Sequence, residues 1–238
     1  MDNPIDVVIP LNHRSFWKDN ELKYALRSVQ KHLKNYRDIF IIGNKPRGGL
    51  YNLCHVPFPD QFIYPARNIF AKVMKACKVA DVSDNFLFMN DDHFLLQNFD
   101  ADKFPFFYKG FLKEDLSNPT DYKHTIENTI KVLNGSHPLK NFDTHTPILY
   151  NKKRFIEMLD IYDWDLPHAY AIKSLYCNVQ NILGIYEPDG KIRRAKATDM
   201  LRDYLANKKV FSIDDTAINS DLENYFKHLY PEKSKYEI

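Results

Sequence analysis

The chain has 238 residues, enough for one sizeable core, and its composition is globular: 44% hydrophobic, 27% charged, only 7 Gly. A net charge of +2 argues against nucleic acid or acidic lipid as the main partner. Cys54, Cys77 and Cys177 lack zinc spacing and predict free thiols in a reducing compartment; with no leader-like N-terminus and no apolar run of ~18 residues, the expected location is cytoplasmic and no membrane span is expected.

Ile5 to Ile9 is a short, mostly β-branched run closed by Pro10, the pattern of a buried strand. A polar loop runs from Leu11 to Asn20. Leu22, Ala25, Leu26, Val29 and Leu33 then recur at helical spacing, with Asp19 or Asn20 placed to cap. Ile39 to Ile42 forms a second strand, so the order strand, helix, strand predicts a parallel, right-handed crossover. Leu53 to Val56 is a short strand candidate. Ile69, Phe70, Val73, Met74 and Cys77 mark another helix, and Phe86 to Met89 another strand. The expected fold is α/β: an open, mostly parallel, Rossmann-like sheet flanked by helices, in which ligands bind beyond the carboxyl ends of the strands.

After residue 100 aromatic residues crowd Phe104 to Phe111, and helices are expected at 120–133, 152–159, 168–183 and 220–229. Val210 to Ile213 is expected to be a strand, and the polar stretch 184–197 a mobile loop. The whole reads as a single domain, 1–238, with a nucleotide-binding half (1–99) and a helix-rich acceptor-side half (100–238).

The sharpest chemical feature is Asn90-Asp91-Asp92, straight after an apolar strand. Adjacent carboxylates near a core need neutralising, and a hard divalent cation, Mn²⁺ or Mg²⁺, would do so while bridging to a diphosphate. The chain must turn here if both carboxylates are to serve one site. A capped strand-to-helix turn is the plainer alternative. Phe211-Ser212-Ile213-Asp214-Asp215 repeats the arrangement, again with a capped turn as the alternative. His145, in Asp143-Thr144-His145-Thr146-Pro147, is a candidate metal ligand or general base, or a structural residue. Arg27, Arg67 and the late cluster Lys191, Arg193, Arg194 and Lys196 are candidate diphosphate contacts, or solvated cations. The loop opening with Pro10 and Asn12 is placed to receive a nucleotide base, near His13.

These blocks resemble the Stealth proteins, hexose-1-phosphate transferases, and more broadly GT-A-fold nucleotide-sugar glycosyltransferases. The similar segments are Ile5-Asp6-Val7-Val8, Leu22 to Val29 with Ile39 to Asn44, Pro65 to Asn68, Ser83 to Asp92, His145-Thr146-Pro147, Phe211 to Asp215 and the closing Tyr230-Pro231, Ser234 and Tyr236-Glu237. They run in the family's order over most of the chain. The resemblance implies a GT-A-like fold and places Asp91 and Asp92 at a metal–diphosphate centre, completed by His145 and Asp215. It puts Arg27 and Asn68 near the donor, and Asn90 is a further expected donor contact. The chain departs from the family where Ile9-Pro10-Leu11-Asn12 follows the first block and where Asp214 stands in the last.

The expected activity is metal-dependent glycosyl transfer from a nucleotide-diphosphate sugar to a hydroxyl acceptor, such as a glycan. Asp91, Asp92 and His145 are the expected ligands of Mn²⁺ or Mg²⁺, and Asp92, His145 and Asp215 the expected catalytic groups. Three alternatives stay open: Stealth-type sugar-1-phosphate transfer to a polysaccharide, a non-catalytic sugar-binding module, and sugar transfer to modified DNA bases.

Overall fold

The computed structural model describes residues 4–12, 15–114, 117–134 and 138–238. The first half runs β1 (Ile5–Leu11), α1 (Asn20–His32), β2 (Leu33–Lys34), β3 (Tyr36–Gly43), β4 (Cys54–Pro57), α2 (Pro65–Lys78), β5 (Asn85–Phe88), β6 (His93–Leu95) and β7 (Phe99–Asp100). The second half adds β8 (Phe107–Tyr108), α3 (Asp121–Leu133), β9 (Ile148–Asn151), α4 (Lys152–Ile161), α5 (Ile172–Val179), β10 (Ile185–Tyr186), β11 (Lys191–Ile192), α6 (Thr198–Leu205), β12 (Val210–Ile213) and α7 (Ser220–Leu229).

The main sheet has the order β4-β3-β1-β5-β9. The first four strands are parallel and β9 closes the edge antiparallel to β5. All seven residues of β1 are buried, because helices cover both faces. Its side chains alternate accordingly: Val7 and Ile9 pack with Leu22, Leu26 and Val29 of α1, while Val8 packs with Phe70 and Val73 of α2. Phe155 of α4 and Leu175 of α5 complete the second face. This is the α/β, GT-A-like arrangement expected, with a helix-rich second half.

Gly43 ends β3 at φ +140, where a Cβ would lie 2.0 Å from the carbonyl oxygen of Leu11. Only glycine lets β3 lie this close to the end of β1. There the Nζ of Lys72 donates to the same carbonyl at 3.1 Å and to Asp60 at 2.6 Å, pinning the strand end from below. The cysteines are free, with Cys177 buried, Cys77 half-buried and Cys54 exposed.

Three expectations need correction. The stretch 184–197 is tied into the fold rather than a loose loop: β10 pairs with β8, and β11 pairs in parallel with β12. The helix expected over 168–183 is confined to Ile172–Val179, since Ala169 and Asn181 adopt left-handed φ values of 49 and 53. The strand β9 and the helix α6 stand where no regular element was expected. Among the described residues, no helix is long and apolar enough to cross a membrane.

A candidate substrate cleft at the sheet rim

Two adjoining cavities open beyond the carboxyl ends of β1 and β5. Strand register explains why distant acids meet there. After Phe88 the chain turns through Asn90–Asp92, with the amide of His93 donating to the carbonyl of Asn90 at 3.2 Å, and enters β6. β6 lies antiparallel to β12 with His93 opposite Ser212, so the end of β12 sits beside the start of β6. Asp91-Asp92 and Asp214-Asp215, more than a hundred residues apart, therefore face one cavity of about 300 Å³. The parallel pairing of Lys191 with Ser212 brings a cation to the same place.

Glu21, from the first turn of α1, joins the four aspartates on the wall of this acidic cavity, as do Asn12 and Ser15. Among the described residues Lys191 is the cation lining it; its Nζ donates to Asp92 Oδ2 at 2.7 Å and to the carbonyl of Ile213. Burial, with the charges of Asp92 and Glu21, pushes the Asp91 carboxyl well above the usual carboxylate range. Burial also raises Glu21, whose Oε2 is enclosed without a hydrogen-bond partner among the described residues. Asp214 differs: its carboxylate accepts from the amide and hydroxyl of Thr216, at 3.1 and 3.0 Å, which hold it below its ordinary value. The capped-turn reading thus applies to Asp214, whereas Asp215 is exposed at the rim.

The second cavity, about 400 Å³, shares Lys191 and Asp214 with the first. His145 and Asn90 line it, together with Tyr122 of α3 and three further cations, Lys109, Lys173 and Arg193. His145 Nδ1 lies 2.9 Å from both carboxylate oxygens of Asp189, and its backbone amide donates to the same group at 3.3 Å. Burial lowers the imidazole in spite of this carboxylate. Burial also opposes the charge of Asp189, but the hydrogen bond from His145, the charge that ring carries once protonated at low pH, and the charge of Lys109 outweigh it and hold the carboxyl well below its usual range. The two directions are not those of a plain ion pair. They describe a neutral imidazole whose Nδ1–H donates to an ionised Asp189, leaving Nε2 with a lone pair.

Beneath both cavities His93 is fully buried. Its Nδ1 accepts from the amide of Asn90 at 3.2 Å, which assigns the proton to Nε2, and burial keeps the ring neutral. That Nε2, Asn90 Oδ1 and Ser212 Oγ are enclosed without partners among the described residues. Three such atoms around one turn are unusual in a structural core.

Of the expected site residues, the structure brings Asn12, Asp91, Asp92 and Asp215 to the acidic cavity and Asn90 and His145 to the neighbouring one. Pro10 is buried within β1 opposite Ile42. His13 lies outside the described residues. Arg27 is held elsewhere, with Nε and one terminal nitrogen each 2.7 Å from Glu237 and the other 3.0 Å from the carbonyl of Tyr230. Arg67 pairs with Asp165 and covers the Phe62 ring at 4.0 Å. Asn68 is consumed by the loop before α2: its Oδ1 accepts from the amides of Gln61 and Phe62, both at 2.9 Å, and its Nδ2 donates to the Phe62 carbonyl. In this structure these three side chains serve the scaffold. Glu21, Lys109, Lys173 and Asp189 were not anticipated. Asp189 carried only a turn signal, Pro188-Asp189-Gly190.

Among the described residues, no three His, Cys, Asp or Glu side chains converge closely enough to hold an ion by themselves. The donor chemistry nevertheless suits a hard divalent cation. Among the described residues the wall offers carboxylate oxygens in excess of positive charge, and Glu21 Oε2 has no hydrogen-bond partner there. Mg²⁺ and Mn²⁺ at phosphate sites typically take one or two carboxylates, with substrate oxygens completing the shell.

No family model matches the chain, and no curated protein matches it. Solved structures with a similar course of chain include galactosyltransferase LgtC in complex with donor and acceptor sugar analogs, at TM-score 0.48 and 13% identity, covering 97% of each chain. An active-site mutant of LgtC aligns at TM-score 0.48 and 14% identity, over 94% of this chain and 95% of that one. The bifunctional glycosyltransferase WbbM aligns at TM-score 0.49 and 13% identity, over 98% of this chain and 50% of that one.

Proposed function

We propose that the chain is a metal-dependent glycosyltransferase that moves a sugar from a nucleotide-diphosphate donor to a hydroxyl acceptor. The observation that carries this reading is the gathering of five carboxylates from three separate segments around one rim cavity, beside a histidine whose Nε2 is free to accept a proton. Asp91 and Asp92 would hold Mn²⁺ or Mg²⁺, with Glu21 and Asp215 adding to the negative field. The bound cation supplies neutralisation of the diphosphate charge. Asn12, at the end of β1, is placed for the nucleotide. Lys191 orients Asp92 and stands between the cavities, where it meets the departing phosphate oxygens. His145 acts as base. Its Nε2 takes the acceptor hydroxyl proton as that oxygen bonds to the anomeric carbon, and the bond from that carbon to the diphosphate oxygen breaks.

The test is a thermal-shift screen of nucleotide sugars with and without Mn²⁺, followed by product analysis. A donor at 100 times its Kd stabilises by about 2.7 kcal/mol, which for a chain of this size is roughly 5–10 °C. The expected result is one donor giving that shift only when Mn²⁺ is present. Asp91→Asn should raise the stability of the metal-free protein by about 1–2 kcal/mol, since an enclosed charge is removed, and abolish the Mn²⁺-dependent shift. Release of nucleoside diphosphate identifies glycosyl transfer; release of the monophosphate identifies sugar-1-phosphate transfer instead. If no donor gains stability from Mn²⁺, the reading fails.

A further inference from the structure

We propose that the cavity beside His145 binds a sugar carrying a compact anion, a carboxylate or a phosphate monoester, and that Lys173, Lys109 and Arg193 recognise that group. The inference rests on the transferase reading only in taking the cavity's occupant to be a sugar.

Lys173 is the central observation. It sits in the first turn of α5, 7% exposed, and lines the cavity. Its Nζ donates to the carbonyls of Thr144 at 2.8 Å and Thr146 at 2.7 Å. Those two carbonyls leave one ammonium proton for a further partner. Among the described residues, no carboxylate forms an ion pair with it. Burial lowers its pKa to about 8, so the group is still charged at neutral pH. The carboxylates of Asp143, Asp189 and Asp92 favour its charge only from a distance; among the described residues its direct partners are the two carbonyls, and an arriving anion would complete the contact.

The neighbouring charges lean the same way. Lys109 lies 3.3 Å from Asp189, and Arg193, 60% exposed on its side chain, lies 4.0 Å from the same oxygen. One carboxylate thus serves two cations and His145 together. Asp143 and Asp214 also line the wall and keep their charge while accepting from Ser174 and Thr216, so the case for an anion rests on where Lys173 and Arg193 stand and not on an excess of positive charge. Lys191 is bound to Asp92. The Tyr122 ring, with Lys109 Nζ 5.3 Å from its centre, gives a pyranose a flat apolar surface beside the cations. Such a constellation prefers an anionic sugar to a neutral one of the same shape.

The anion has two possible sources, an acidic sugar being transferred or an acidic residue on the acceptor. The test measures binding of D-glucuronate, glucose 6-phosphate and glucose by calorimetry or NMR, with UDP plus Mn²⁺ as reference. Arg193→Gln is the first variant, because the side chain is exposed and loosely held. Lys173→Met is the second, checked for folding by its NMR spectrum. Either anionic sugar should bind roughly tenfold tighter than glucose, and both variants should remove most of that preference while Mn²⁺–UDP affinity stays put. If the anion belongs to the acceptor, glucuronate still binds with Mn²⁺–UDP present. If it belongs to the transferred sugar, UDP-glucuronate outcompetes UDP-glucose and excludes free glucuronate. Equal binding of glucose and the acidic sugars, or no binding of any, overturns the proposal. So does an equal loss of Mn²⁺–UDP affinity in Arg193→Gln, which would mean that the cations hold the diphosphate. Binding of acidic sugars without any binding of Mn²⁺–UDP would leave this anion site standing and refute the transferase reading.

Discussion

Replacing Asp189 by Asn isolates what the carboxylate does for His145. The side chains differ little in shape, so packing is kept. What is lost is a charge-assisted contact in which Nδ1 lies 2.9 Å from both oxygens, with the carboxylate 20% exposed. A hydrogen bond of that kind is worth roughly 1.5–3 kcal/mol. The substitution also frees the tautomer. An Asn amide can turn its NH₂ toward Nδ1, which moves the ring proton to Nε2 and removes the lone pair facing the cavity. Losing a general base lowers a rate about 10²–10⁴-fold, and the expected fall in kcat lies in that range. The pH profile carries a second signature. With His145 as the proposed base, wild-type activity should be lost as pH falls through its pKa, which burial lowers and Asp189 partly restores. In Asp189→Asn that support is gone, so the acid limb of whatever activity remains should move to lower pH. The assay is initial rate against pH with the donor found in the thermal screen, alongside an NMR titration of the histidines. A variant whose kcat stays within about threefold of wild type, with an unmoved acid limb, would show that Asp189 merely braces the loop.

Two predictions concern the scaffold. Gly43→Ala places a Cβ 2.0 Å from the Leu11 carbonyl oxygen at φ +140, so β1 and β3 must part; the expected loss is about 3 kcal/mol or more, a Tm drop of roughly 6–12 °C, and a drop under about 2 °C would refute it. Glu237 titrates at about 2 from an ordinary 4.5; burial opposes its charge, but the hydrogen bonds from Arg27 and Ser234 prevail. A depressed carboxylate stabilises fully above its unfolded value and loses that contribution as pH falls toward the folded one. Denaturation between pH 5 and 2 should therefore show about 1–2 kcal/mol, after allowance for solvent screening, that disappears in Arg27→Met; an unchanged slope would count against the pair.

What was legible in the sequence had a local cause. Val7, Val8 and Ile9 read as a doubly covered strand because every residue is apolar, and Leu22 to Val29 read as a helix because the burial period is three to four residues. β10 and β11 were not legible, because two residues carry no period and their pairing with β8 and β12 is fixed by partners far along the chain. The candidate site divides in the same way. Asp91 and Asp92 stood out because charge directly after an apolar strand conflicts with its surroundings. Glu21, Lys173 and Asp189 conflict with nothing nearby in sequence: Glu21 is an ordinary first-turn acid, Lys173 an ordinary helical lysine, Asp189 a turn residue. Their tension arises only when the fold encloses them: among the described residues Glu21 Oε2 has no partner, Lys173 faces carbonyls and Asp189 is shared among three cationic or basic side chains. Arg27 and Asn68 fail in the opposite sense. A resemblance in sequence suggested donor contacts for both, yet each satisfies polar atoms within the scaffold, Arg27 on Glu237 and Asn68 on the loop before α2. Incomplete compensation after folding is therefore the mark on which the proposals of a cation in the acidic cavity and an anion at Lys173 rest, and the binding measurements decide both.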